Sequence, residues 1–149
     1  MNGSDGVLAQ WFIPLAICFW WTLLALLSLN SGWLALARNY RRRQPLRESR
    51  LFIFQSVGLG SGWFPVSYGG CVFVRVAPAG LGLAVFPLFR FFHPPLTIPW
   101  HAIRECRRRR FWFFTWVVAY LAESSTRLLF NGRLGQYVLD SFTDQTRRG

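Results

Sequence analysis

The fold of this chain is decided by residues 71–86, which read CVFVRVAPAGLGLAVF. Two runs rich in β-branched and apolar residues, 71–76 and 81–86, flank a short segment that contains Pro78 and Gly80. Proline presets φ and glycine tolerates positive φ, so both are typical turn residues. The pattern predicts a β-hairpin with its turn at 77–80.

Similar short runs continue on both sides of this hairpin. Glycines separate β-branched and aromatic runs over 58–82, and two prolines at 94–95 then interrupt the chain. Residues 103–120 are long enough for one strand or a bent pair of strands, and 123–130 reads as a turn followed by a strand. The apolar run 111–122 is too short to cross a membrane, and its Val, Phe, Trp and Tyr content favours a strand. An antiparallel β domain is therefore predicted.

The C-terminal segment has the pattern of a helix. Leu134, Val138 and Phe142 recur at intervals of four, which predicts an apolar helical stripe. We expect this helix to cap a bent sheet, so that one α+β domain covers 56–142. The last residues, 143–149, are expected to form a frayed tail.

This order of hairpins closed by one amphipathic helix resembles the pleckstrin-homology-like (PH-like) and GRAM-like domains. The stretch 89–103, FRFFHPPLTIPWHAI, is similar to a segment of small uncharacterised bacterial proteins that join a short membrane anchor to such a domain. Its most specific part is 93–100. The resemblance covers about residues 56–142 and implies a binding or scaffolding module, without implying any catalytic residue.

The N-terminal segment has the length and composition of a membrane span. Residues 7–29 contain no charge, and a helix of this length rises roughly 35 Å, against a hydrocarbon core about 30 Å thick. Trp11 and Trp33 lie where such a span would meet the two interfaces. A cleaved secretory signal is the alternative, but no basic residue precedes the apolar run. We predict a transmembrane helix at 7–29 after a short external N-terminus, 1–6.

A basic segment follows the predicted span. Residues 33–41 read as a helix with one apolar and one basic face, which could continue the span or lie in the interface. The positive-inside bias predicts a single-pass inner-membrane protein with its N-terminus outside and its domain in the cytoplasm. The juxtamembrane helix and linker, 30–55, supplies six arginines that we expect to contact anionic head groups. They are Arg38, Arg41, Arg42, Arg43, Arg47 and Arg50.

Charge adds a second candidate surface. The 149-residue chain has 17 basic residues, all arginine, against 6 acidic ones, which indicates anionic partners. The densest cluster is Arg107, Arg108, Arg109 and Arg110. One interpretation of this cluster is contact with anionic lipid or a phosphate-bearing partner. The other, equally favoured, is a solvated sheet edge whose charges prevent pairing with another sheet. Neighbouring aromatics, Phe111, Trp112 and Trp116, also match nucleic-acid binding, although in a small β domain they are expected to be core first.

No pattern indicates catalysis or a cofactor. Cys18, Cys71 and Cys106 suggest neither a disulfide framework nor a metal site, and His93 and His101 have no further ligand at suitable spacing. The glycines of 58–62 fit no phosphate-binding motif. The acidic residues, which form no recognisable catalytic set, are Asp5, Glu48, Glu105, Glu123, Asp140 and Asp144.

These observations predict a membrane-anchored, non-catalytic binding or scaffold module at the cytoplasmic face, without cofactor or metal. Its expected partners are anionic lipid or a protein in the membrane. The alternative is a small accessory subunit of a membrane protein complex. A nucleic-acid-binding module is the least favoured of the three.

Overall fold

The computed structural model describes residues 4–30, 32–41, 46–60 and 65–148. It has the predicted α+β class, with an antiparallel sheet and a C-terminal helix. The helices are α1 (Ser4–Asn30), α2 (Trp33–Tyr40) and α3 (Gly132–Arg148), with two 3-10 helices, η1 (Pro87–Phe92) and η2 (Trp100–Ala102). The strands are β1 (Arg50–Gly60), β2 (Val66–Ala77), β3 (Gly80–Val85), β4 (Leu96–Pro99), β5 (Ile103–Phe111), β6 (Phe114–Leu121) and β7 (Arg127–Asn131).

The seven strands form one curled, open sheet in the order β4-β3-β2-β1-β7-β6-β5. Every neighbouring pair is antiparallel, and β4 and β5 are the edges. The hairpin predicted from the central sequence is confirmed, because Ala77 pairs with Gly80 across a two-residue turn. Glycine is required at position 80, where a Cβ would lie 2.3 Å from the carbonyl oxygen of Ile98.

Three boundaries differ from the sequence-based expectation. Residues 103–121 form a pair of strands, the β5–β6 hairpin, which is one of the two expected arrangements, but its tight turn at 112–113 lies inside the run 111–122 that was expected to be a strand and contains neither glycine nor proline. The sheet begins at Arg50, before the expected 56. The expected tail from 143 is helical through Arg148, because no proline or glycine ends α3 before the last residue.

Helix α2 belongs to the domain core. Its apolar stripe, Trp33, Leu36, Ala37 and Tyr40, was identified from the sequence, and all four residues are buried. They pack in the core formed by the sheet, and α2 contacts β4. The stripe therefore neither continues a span nor faces a membrane interface, since the sheet of the same chain covers it.

Helix α1 contrasts with α2. Its side chains are described from 10 to 26, and in this stretch the large apolar residues are exposed except for Leu24, which is buried. Part of α1 contacts η1. The sequence predicts a transmembrane helix at 7–29. Among the described residues, however, no helix is both long and apolar enough to cross a membrane.

Candidate functional site

The predicted juxtamembrane arginines do not converge on one point. Arg42 and Arg43 lie outside the described residues, whereas Arg38, Arg41, Arg47 and Arg50 are described and exposed. The guanidinium of Arg50 lies 5.5 Å from the ring centroid of Phe52 and 5.0 Å from that of Tyr137, near α3. Arg41 instead forms an isolated β-bridge with Leu96 of the edge strand β4. The six residues were predicted as one contact surface, and those described are divided between different sides of the domain.

Arg41 and Arg47 line an open groove of about 1120 Å³ between α2 and the β2–β3 turn. The carboxylates of Glu48 and Glu123 line the same groove. The Tyr40 hydroxyl donates to Oε2 of Glu123 at 3.5 Å, and burial together with this carboxylate raises the pKa of Tyr40. Because both signs of charge are present, this groove is not a concentrated anion site.

The Arg107–Arg110 cluster is divided by its partners. All four side chains are exposed on β5, and consecutive residues of a strand point to opposite faces. Arg107 forms an ion pair with Glu105, and Arg108 donates to Gln136 of α3. Arg109 and Arg110 both border an open groove of about 350 Å³, whose other lining residues are Pro65, Trp116, Val118, Tyr120, Arg127 and Leu129. Two arginines of the predicted four-residue patch therefore have partners within the domain, and the other two border this groove.

The tip of the β5–β6 hairpin, Trp112 to Phe114, corrects an expectation. Of the aromatics predicted to be core, Trp112 is 80% exposed and Trp116 is half-buried, and the neighbouring Phe113 is 81% exposed. The rings of Trp112 and Phe113 stack with centroids 5.3 Å apart. Trp112 has a φ of 54°, in the left-handed region that bulky residues rarely adopt. A strained tryptophan held in solvent contributes little to the fold, which makes this tip a candidate for contact with another molecule.

A second exposed aromatic surface lies on η1, whose sequence is PLFRFF. Leu88 and Phe91 are exposed, as is Arg90 between them. Trp20 of α1 lies 5.9 Å from Phe89, between ring centroids. The stretch 89–103 resembles a segment of small bacterial proteins, but that resemblance does not predict an exposed surface here.

His93 fixes η1 to the core. Its ring is 1% exposed, and Nδ1–H donates to the carbonyl oxygen of Phe89 at 3.0 Å, since a carbonyl can only accept. Nε2 then accepts from the hydroxyl of Tyr68 at 3.0 Å. Beside it, Nε1 of Trp33 donates to the carbonyl oxygen of Pro94 at 3.0 Å. Burial lowers the pKa of His93, opposed by the smaller effect of the Phe89 carbonyl.

The remaining candidate residues are His101 and two cysteines, Cys71 and Cys106. His101 is exposed on η2, away from the buried cluster of His93. Burial raises the pKa of Cys71, and it raises that of Cys106 to about 11, which at both positions favours the thiol over the nucleophilic thiolate. Among the described residues, no group of three or more His, Cys, Asp and Glu side chains could hold a metal ion.

Comparison with known proteins adds no family. No protein-family model matches the chain, and no curated protein matches it. The exposed surfaces of the molecule are therefore the basis on which its function can be inferred.

Proposed function

We propose that this chain is a membrane-anchored, non-catalytic binding module, held at the cytoplasmic face of the inner membrane by its N-terminal segment. One observation carries the proposal. The large apolar side chains of α1 between Gln10 and Leu26 are mostly exposed, whereas α2, which begins at Trp33, is buried in the domain. A helix that is apolar on all sides needs an apolar environment. A bilayer supplies one, and the buried α2 ties α1 firmly to the sheet.

A PH-like domain is the fold that we propose for the sheet and α3. Strands β1–β4 follow one another in the sheet, β5–β7 form the other part, and β1 pairs with β7 where the two parts meet. Helix α3 contacts β5, β6 and β7. A bent antiparallel sheet capped by one C-terminal helix is the arrangement that the sequence resemblance implied.

Electrostatics supports the proposed orientation. The described arginines that follow α1 are Arg38, Arg41, Arg47 and Arg50, all of them exposed. Those on the side of the domain that faces the bilayer would lie near the head groups, where each basic residue contributes roughly 1 kcal/mol of attraction to an anionic surface. The positive-inside bias then favours a cytoplasmic domain and an external N-terminus.

Membrane extraction and thiol labelling test this proposal. In full-length protein whose native cysteines are replaced by alanine, we would place one cysteine at Ser4 or at the exposed Ser125 of the β6–β7 turn. The protein should remain in carbonate-washed membranes. A membrane-impermeant maleimide should label position 4 in intact spheroplasts, and position 125 only after permeabilisation. Release by carbonate would contradict the anchor, and labelling of both positions from one side would contradict a span.

The tip Trp112 to Phe114 favours a second function, that of an accessory subunit that docks a protein in a membrane complex. Tryptophan, phenylalanine and arginine are enriched where protein partners bind most strongly. Nucleic acid fits less well, because phosphate binding needs many free cations, and Arg107 and Arg108 already have partners within the domain. A stoichiometric partner that copurifies with the wild type and is lost with Trp112→Asn would favour this function.

A further inference from the structure

We propose that η1 is a second membrane contact, with Leu88 and Phe91 inserted beside α1 at the boundary between head groups and acyl chains. The inference rests on the proposed function, because the bilayer is the one in which α1 is embedded. It adds an interaction surface on the folded domain, distinct from the anchor helix and from the arginines of the linker.

Continuity with α1 identifies lipid as the occupant. The Trp21 ring lies 4.9 Å from that of Phe91 in an edge-to-face contact, and 6.0 Å from that of Phe92. Trp21 remains exposed, and Phe91 is 73% exposed, so these two contacting rings both contribute to the exposed apolar surface. The proposal places the head-group boundary near Trp21, so that the part of α1 from residue 4 to 21, which rises roughly 27 Å, lies among the acyl chains and Phe91 meets the bilayer at that boundary.

The 3-10 helix is held in place from the core side. Pro87 begins it, and the backbone N–H of Phe89 donates to the carbonyl oxygen of Phe86 at 2.9 Å. His93 secures its end, because its backbone N–H donates to Arg90 and its buried ring to Phe89. The backbone of η1 therefore loses little conformational freedom when its side chains enter the membrane, which favours insertion.

The composition of η1 also suits an anionic interface. Residues 86–95 contain no acidic residue and one arginine, Arg90, which is exposed. Arginine keeps its guanidinium among head groups while its aliphatic stem lies along apolar surface. Phenylalanine and leucine on one side with arginine at the polar boundary is the pattern of segments that lie in the plane of a membrane interface.

The β5–β6 tip is a matched comparison surface. A Cβ on Gly32, at the junction of α1 and α2, would lie 3.1 Å from Oγ1 of Thr126, so the β6–β7 turn abuts the base of α1. The tip is at the other end of β6, whose 8 residues extend about 26 Å. If α1 and η1 define the membrane side, Phe113 at the tip should lie in water although it is as exposed as Phe91.

Quenching by brominated lipids tests the inference. The full-length protein, with its native cysteines replaced, would carry an environment-sensitive fluorophore on one cysteine in vesicles of phosphatidylcholine and phosphatidylglycerol. The replaced residues are Leu88, Phe91, Phe12 in α1 and Phe113 at the tip. Leu88 is included because it is exposed and its replacement removes no aromatic ring. We expect quenching at 12, 88 and 91 to exceed that at 113 several-fold, with shallower bromines most effective at 88 and 91.

The possible failures are distinguishable. Quenching at 12 without quenching at 88 and 91 would overturn the η1 contact and leave the anchor standing. Absence of quenching at all four positions would overturn the anchor and the η1 contact together. Equal quenching at 113 and 91 would overturn η1 as the membrane-facing surface, because the tip would then lie in the bilayer as well.

Discussion

Two clusters of exposed aromatic rings, η1 and the β5–β6 tip, have similar compositions and very different supports. Behind η1 lie the fully buried Trp33 and His93, and its rings contact those of α1. The tip is supported by a two-residue turn and by the strained backbone of Trp112. The comparison indicates that exposure alone does not define a surface, because the side chains beneath a ring decide how firmly it is presented and what it adjoins.

The largest expected loss of stability comes from replacing Trp33, the buried residue that lies behind η1. Trp33→Ala removes a fully buried ring and its hydrogen bond to Pro94, so the free energy of unfolding should fall by about 3–5 kcal/mol. Denaturant unfolding in mild detergent measures the loss, and Trp33→Phe should give a smaller one. Trp112→Ala is the control and should change stability by about 0.5 kcal/mol or less. Equal losses at positions 33 and 112 would contradict the difference in support.

A smaller effect concerns pH and His93. Burial lowers its pKa in the folded state, whereas the unfolded chain titrates near the ordinary value of about 6.5. The unfolded state therefore binds more protons below that pH, so stability is complete above about 6.5 and falls as pH drops toward the folded pKa, by at most about 1.4 kcal/mol per pH unit. Melting temperatures across this range measure the decline.

His93→Gln should make the melting temperature less dependent on pH in this range. Trp112→Asn leaves the histidine in place, so its pH dependence should follow that of the wild type. A decline that persists unchanged in His93→Gln would show that another group is responsible.

The smallest expected change in stability is at the β5–β6 tip, where the substitution should stabilise the domain. Trp112→Asn places at φ 54° a residue that tolerates the left-handed region, so the free energy of unfolding should rise by about 0.5 kcal/mol. Denaturant unfolding measures the change. Phe113 is not in the left-handed region, so Phe113→Asn should bring no such gain. A similar gain from both substitutions would indicate relief of solvent exposure rather than of backbone strain.

Local patterns in the sequence predicted much of this fold. The turn between β2 and β3 is marked by Pro78 and Gly80, and the buried stripes of α2 and α3 follow helical periodicity. The sequence could not predict what covers the α2 stripe, because β4 lies more than fifty residues further along the chain. It also missed the β5–β6 turn, because Trp112 and Phe113 are residues that normally favour strands.

The candidate surfaces were less predictable, because they also depend on contacts between residues that are far apart in the sequence. Composition revealed the Arg107–Arg110 cluster, and the spacing of Arg107 from Glu105 on one strand face offered a local clue to their ion pair. The partner of Arg108 is Gln136 on a distant helix, which no local pattern indicates. The apolar surface of η1 depends in the same way on Trp20 and Trp21, which pack against it from the other end of the sequence.

The junction between α1 and α2 has a mechanical consequence. Helix α1 ends at Asn30 and α2 begins at Trp33, so only two residues separate the two helices. A long flexible linker would let a domain adopt many orientations relative to the helix before it. Here α2 begins with a buried tryptophan, Trp33, so the core of the domain stays within two residues of the end of α1 and must follow its position.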